Sequence, residues 1–188
     1  MPEIREYNRA RAVAYARRWA LDRNPLFFDF TGGGGNCTNF VSQCVLAGCC
    51  QMNFTPDFGW YYLSPNERAA AWTGVEFFYN FLTNNEAEGV GEGLGPFGRE
   101  VGPREILQLG DVIQLGRADG DYYHTLIVTG YGRRTYLVSA HSNDVYNRPL
   151  SSYNYSRIRY LHIDGYRTDQ RFVGVCFDDL ISGVSLVV

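Results

Sequence analysis

No stretch of the 188-residue chain approaches the roughly 20 apolar residues that a membrane-spanning helix requires. Residues 1–20 also lack the layout of a secretory signal, a basic start followed by an apolar run. As written, the chain is not addressed for export and reads as cytoplasmic. A chain trimmed of its leader would read the same way and would belong to the cell wall or the secreted fraction. Charge of one sign is scarce as well: 17 Lys plus Arg stand against 20 Asp plus Glu, a net charge of −3 without a long run of either. Arg5, Arg9, Arg11, Arg17, Arg18 and Arg23 gather near the start, but they spread around a predicted helix as a solvated face. Nothing there asks for a nucleic-acid partner.

Histidine is rare, with three residues, His124, His141 and His162. Cysteine is odd in number: Cys37, Cys44, Cys49, Cys50 and Cys176 show no disulfide-rich spacing, which disfavours a stapled secreted scaffold. Cys49 and Cys50 are adjacent rather than a CxxC pair, and no histidine lies near them at a zinc-ligand spacing, so no metal site is expected. Cys44 and Cys176 read as small buried apolar residues. The run Gly32–Gly35 lacks the Lys-Ser/Thr pair that completes a phosphate-cradling loop, and no cofactor is implied.

What the chain does have is aromatic mass: 14 Tyr, 12 Phe and 3 Trp. Buried aromatics dominate core energetics, so a thick core is the first reading, and a groove for an extended polymer such as peptide or glycan is the second. The length suits one domain spanning residues 1–188, large enough to bury a sizeable core.

The pattern predicts helices first. Ile4, Tyr7, Ala10, Val13, Ala14 and Ala20 recur at helical spacing over Glu3 to Asp22, and Asn24-Pro25 stops that helix. A second begins at the glycine run: Cys37, Phe40, Val41, Cys44 and Gly48 share a stripe, Asn36 sits at the N-cap, and Gly48 is a stop signal. Ser64-Pro65-Asn66-Glu67 reads as a capping box opening a third helix through Trp72, Val75, Tyr79 and Leu82. Residues 84–104 read as a Gly- and Glu-rich loop. From residue 107 the period becomes two, with strands at Asp111–Leu115, His124–Thr129 and Thr135–Ser139, and weaker ones at Arg157–Ile163 and Arg171–Phe177. Helices followed by an antiparallel sheet make an α+β domain.

The chemistry gathers at two points. Cys37 falls in the first turn of a helix, where unpaired N–H groups and a partial positive charge favour a thiolate and receive an oxyanion. The glycines before it, Gly35 nearest, let a substrate approach the backbone. His124 opens an apolar strand with its imidazole at the sheet end, on the face of Leu126 and Val128. If that face packs on the Cys37 helix, thiol and imidazole come within hydrogen-bond reach. On the next strand Leu137, Ser139, His141 and Asn143 share a parity, so either His141 or Asn143 is placed to orient the His124 ring. His162, set within Tyr160-Leu161-His162-Ile163, reads as structural.

These residues resemble the bacterial putative-amidase domain, a relative of the CHAP and NlpC cysteine peptidases of the papain-like superfamily. The resemblance rests on Tyr7–Ala16, on Asn36-Cys37-Thr38-Asn39-Phe40-Val41-Ser42-Gln43, on Gly110–Ile113, on His124–Gly130, and on Ser139–Asp144 with Asn147–Leu150. It implies a papain-like fold, a nucleophile helix on an antiparallel sheet, with Cys37 as nucleophile, His124 as base and His141 as first choice for the orienting residue, Asn143 second. It implies a metal-independent amidase or peptidase acting through a thioester on a peptide or peptidoglycan-type substrate. Gly35 and Asn36 form the nucleophile loop. Two departures stand out: such domains often carry Asp before the cysteine, where this chain has Asn36, and residues 25–36 hold no Gln to supply an oxyanion donor. The rival readings are a non-catalytic peptide- or wall-binding module on the same fold, and a thioester-forming acyltransferase.

Overall fold

A computed structural model describes residues 2–86, 93–169 and 176–184. The basic N-terminal segment divides in two. Glu3–Arg5 forms strand β1, and helix α1 runs from Arg9 to Trp19. The break comes from Asn8, whose side chain accepts from the Arg11 N–H and caps the helix. Ile4 therefore lies on an exposed edge strand instead of a helical stripe.

Helix α2 spans Asn36–Cys49, and all of its 14 residues are buried. A helix buried all round lies inside the molecule, and its polar groups need partners there. Each finds one. The Thr38 hydroxyl meets that of Thr125 at 2.8 Å, Asn39 accepts from the Trp72 indole and donates to the Phe28 carbonyl, Ser42 donates to the Trp72 carbonyl, and Gln43 accepts from Tyr15. The polar half of the string Thr38–Gln43 is thus a set of internal struts. Gly48 does not stop the helix, which continues one residue and ends on Cys50 in the left-handed region at φ 49°. Gly48 is glycine because a Cβ there would run into the Tyr7 ring.

The capping-box expectation fails. Tyr62–Ser64 and Glu67–Arg68 form a small hairpin, β2 and β3, whose turn is closed by the Arg68 guanidinium on the Pro65 carbonyl. The helix follows later, in two pieces: α3 at Ala70–Thr73 and α4 at Val75–Asn84, separated by Gly74 in extended conformation. The expected loop over 84–104 contains strand β4, Gly95–Val101; residues 87–92 lie outside the described residues.

The remaining strands are β5 at Val112–Gly116, β6 at Tyr122–Gly132, β7 at Thr135–Ala140, β8 at Val145–Pro149 and β9 at Arg157–Thr168, with a 3-10 turn at Leu150–Ser152. Helix α5 covers Cys176–Ser182. Of the strand expected at Arg171–Phe177, the last two residues are helical and the others lie outside the described residues. The sheet is antiparallel with order β1-β9-β5-β6-β7-β8, and β4 also pairs with β9. Helices and antiparallel sheet together make an α+β architecture.

The two sheet faces bury two cores. Val112, Ile127, Leu161 and Ile163 pack with Phe40, Val41, Cys44 and Val45 of α2 and with Tyr15, Trp19, Trp60 and Trp72. Ile113, Leu115, Leu126, Val128 and Val138 pack on the other face with Leu107 and Leu150. Alternation along β6 therefore turns Ile127 toward α2 and Leu126 and Val128 away from it. The aromatic load serves the core first: Trp60, Trp72, Tyr15, Phe40, Phe78 and Phe81 are fully buried.

Asp111 pins β5 to its surroundings. Fully buried, its carboxylate accepts from Arg9 at 2.7 Å, from the Gln108 and Ile163 N–H groups, and lies 2.7 Å from Nδ1 of His162. His162 is held in a structural cluster, away from the candidate site. Cys50 and Cys176 form a disulfide that ties the end of α2 to α5, across a sequence separation of 126. The reading of Cys176 as a small buried apolar residue is corrected by that bond. Cys44 is free and fully buried. Among the described residues no helix is long and apolar enough to cross a membrane.

Candidate active-site cleft

A cleft of about 370 Å³ opens at the front of α2. Gly34 comes from the loop before that helix and Cys37 from its first turn, Tyr123 and His124 from β6, Ser142 and Asn143 from the β7–β8 turn, and Arg148 and Tyr153 from β8 and beyond. Cys37 and His124, 87 positions apart in sequence, thus line one space. Cys37 is 4% exposed, and its sulfur lies 3.8 Å from the Thr38 hydroxyl. The other free thiols are poor candidates for chemistry. Burial drives Cys44 well above the ordinary thiol range and Cys49 up to about 12.

The first ladder bond of α2 runs from the Asn39 N–H to the Gly35 carbonyl. The Cys37 N–H therefore precedes the ladder, as the first N–H groups of a helix do. Gly35 is the N-cap, with no side chain to cap the helix, and its back is against Thr73. Gly34, in the left-handed region with open space around it, is the glycine that lines the cleft.

His124 reaches the cleft by a different route from the expected one. It shares its parity with Leu126 and Val128, which face the core away from α2. The residue that touches α2 is Thr125, through Thr38. His124 lies near the start of β6, where the pairing with β5 shifts register between Leu115 and Gly116, and there its half-buried ring borders the cleft beside those of Tyr123 and Tyr153. Burial, and then the Arg148 cation, lower its pKa to about 4. At neutral pH the ring is uncharged and free to accept a proton.

His141 is placed elsewhere. Strand β7 ends at Ala140, and Ser142 and Asn143 take left-handed φ values of 68° and 70°, so the parity linking Ser139, His141 and Asn143 does not extend through the turn. His141 is buried and stacks on Phe40 at 4.2 Å. Its Nε2 lies 2.9 Å from the Trp19 carbonyl, which can only accept, so Nε2 carries the proton. Nδ1 then accepts from the Asn36 amide at 2.9 Å. Both ring nitrogens are engaged by Asn36 and Trp19. Burial lowers the His141 pKa, and the Arg23 cation 3.3 Å from Nε2 adds to it, against the Trp19 bond. Asn143, by contrast, borders the cleft.

Asn36 is likewise not the expected N-cap. It lies inside the first turn, and its oxygen accepts from the Phe30 N–H and the Asn39 side chain, both at 3.0 Å. The residue before the cysteine therefore fixes the approach loop and His141 together. Arg148 and Tyr153 line the cleft without a sequence signal for a site role; Arg148 sits among the Asn147–Leu150 residues of the resemblance, and nothing marks it beyond that. Among the described residues no three His, Cys, Asp or Glu side chains assemble as a metal site.

Comparison with known proteins places the chain in a family. A protein-family model described as a Putative amidase domain matches residues 6–163, which include every residue lining the cleft. The uncharacterized protein YhbB of Bacillus subtilis (strain 168) is 33% identical over 143 residues, covering 74% of this chain and 42% of that protein. The chain thus spans less than half the length of that relative. No solved structure matches the chain. With the family model covering most of its length, from Glu6 to Ile163, the chain belongs to the amidase-domain family that this model describes.

Proposed function

We propose that the chain is a cysteine-dependent amidase or peptidase, one domain with a papain-like arrangement of the CHAP and NlpC kind, acting on peptide amides such as those of the cell wall. The observation that carries this reading is the shared cleft of Cys37 and His124. Cys37 stands in the first turn of a buried helix, and His124 is a neutral imidazole at the end of a rigid strand.

In the proposed reaction the Cys37 sulfur attacks the amide carbonyl while His124 takes the thiol proton. A C–S bond forms, and the oxyanion is met by the Cys37 N–H, which the helix ladder leaves unpaired. His124 returns the proton to the leaving nitrogen as the C–N bond breaks. Water, deprotonated by His124, then cleaves the thioester to a carboxylic acid and restores the thiol. No metal or cofactor enters these steps. Asn143 is the favoured third member because it borders the cleft. His141 acts as a positioning residue, holding Asn36 and through it the front of α2.

Incubation with purified peptidoglycan and with its stem peptides, followed by detection of new amine termini, tests the reading. Release by the parent chain and none by Cys37→Ala supports it. Equal release by both would remove Cys37 from the chemistry. Binding to peptidoglycan without release would identify a binding module instead.

A further inference from the structure

Arg148 is the one charged side chain of the cleft apart from the titratable His124 and Cys37, and it is held ready. Its Nε donates to the Ser152 hydroxyl at 2.8 Å, one terminal nitrogen donates to the Ser152 carbonyl at 3.2 Å, and the guanidinium lies over the Tyr153 ring, 4.1 Å from its centroid. The Tyr153 side chain also interacts with the guanidinium as a hydrogen-bond partner. A solvated surface arginine would not need three restraints. Among the other partly or fully buried arginines, Arg9, Arg23 and Arg159 are matched by Asp111, Asp144 and Glu76, whereas Arg68 and Arg167 are held, as Arg148 is, by a carbonyl and an aromatic face; of these three only Arg148 lines the cleft. No described carboxylate pairs with Arg148, and none lines the cleft.

A fixed guanidinium without a carboxylate partner, in a cleft without acidic groups, is matched to an anion of planar, two-oxygen geometry. We propose that Arg148 binds a carboxylate of the substrate, so that the chain favours amides bearing a free carboxylate close to the scissile bond, as at the C-terminal residue of a peptide. The inference rests on the cleft being the site of amide cleavage. Ser142 and Asn143, on the same wall system, supply polar groups for the backbone of such a ligand.

Arg148 helps to keep His124 uncharged. The rings of Tyr123 and Tyr153 lie beside it, Cys37 lines the same cleft, and none of these is a carboxylate. A bound carboxylate would offset the arginine and let His124 protonate more readily.

The test uses the full chain with Cys37→Ala, which binds without turnover. Two probes are compared, N-acetyl-alanyl-alanine and its C-terminal carboxamide, with calorimetry for affinity and NMR of the His124 ring for its titration. The expected result is at least about tenfold tighter binding of the carboxylate and an upward movement of the His124 midpoint with that probe alone; adding Arg148→Gln makes the probes equivalent. Equal binding of the two probes before that change, or binding of neither at millimolar concentration, overturns the proposal. The hydrolase reading fails separately: selective carboxylate binding in a chain whose Cys37 form releases no amine leaves the carboxylate subsite standing, whereas amine release with no preference between acid and amide leaves only the hydrolase.

Discussion

The Asn36 amide donates to Nδ1 of His141 across 2.9 Å, so the residue preceding the candidate nucleophile and the first residue after β7 form one unit. The unit fixes a tautomer. His141 donates from Nε2 to the Trp19 carbonyl, and Asn36 supplies the proton that Nδ1 lacks. An Asp at this position, which the resemblance leads one to expect, would have a definite electrostatic outcome.

Asn36→Asp places a carboxylate against Nδ1, which then gains by being protonated. The His141 pKa, lowered in the parent by burial, should rise. NMR titration of the His141 ring reads the direction, and an unchanged or lower midpoint would contradict the hydrogen-bond assignment. Asn36→Ala removes the donor without supplying charge and should destabilise the fold by about 1–3 kcal/mol, the cost of leaving buried polar groups unpaired.

His124 predicts a pH dependence of both activity and stability. Its pKa is lowered from 6.5 to about 4 in the folded chain, so the unfolded chain binds the proton more readily. The stability from this group is present in full above pH 6.5 and is lost as pH falls from 6.5 through about 4, approaching about 3 kcal/mol in all. His141 is lowered too and acts in the same direction. Denaturant melts between pH 4 and 7 measure the slope, and His124→Gln should flatten it. If His124 is the base, the acid limb of turnover lies near pH 4, and Arg148→Gln moves it upward.

Asp111 carries a larger structural load. It is fully buried and receives Arg9, two backbone N–H groups and the edge of His162. Asp111→Ala strands those partners, and the expected loss is about 3–5 kcal/mol. Urea unfolding of the variant gives the value; a loss below about 1 kcal/mol would show that the cluster relaxes without it.

The Cys50–Cys176 disulfide closes a long loop between α2 and α5. Cys50→Ser, or reduction of the parent, should lower stability by about 2–4 kcal/mol while leaving Cys37 free. Thermal melts with and without reductant check this, together with a thiol count under denaturing conditions. Parent and variant melting alike in oxidising buffer would mean that the bond does not form.

The candidate site was legible where chemistry and backbone signals coincided. Cys37 after four glycines, on a helix that begins at once, and His124 at the start of an apolar strand were both readable, and the structure gives them one cleft. The face assignment failed because strand alternation fixes which residues share a face but not which face meets the helices. Thr125 and Ile127, not Leu126 and Val128, turned out to meet α2. The parity argument for His141 fails for a related reason: parity holds only while a strand continues, and left-handed Ser142 and Asn143 end it. Ser64-Pro65-Asn66-Glu67 has the composition of a helix start, yet the pairing of Tyr62 with Arg68 makes it a hairpin turn, a tertiary override of a local signal. Nothing local marked the disulfide, whose partners lie 126 positions apart.

Site-resolved alkylation by iodoacetamide near neutral pH tests the functional pairing of Cys37 with His124 most directly. Cys44 and Cys49 are silenced by burial, so the account predicts modification at Cys37 alone, slowed at least about tenfold in a folded His124→Ala variant. A Cys37 that resists the reagent, or one that reacts at the same rate without the imidazole, would contradict it.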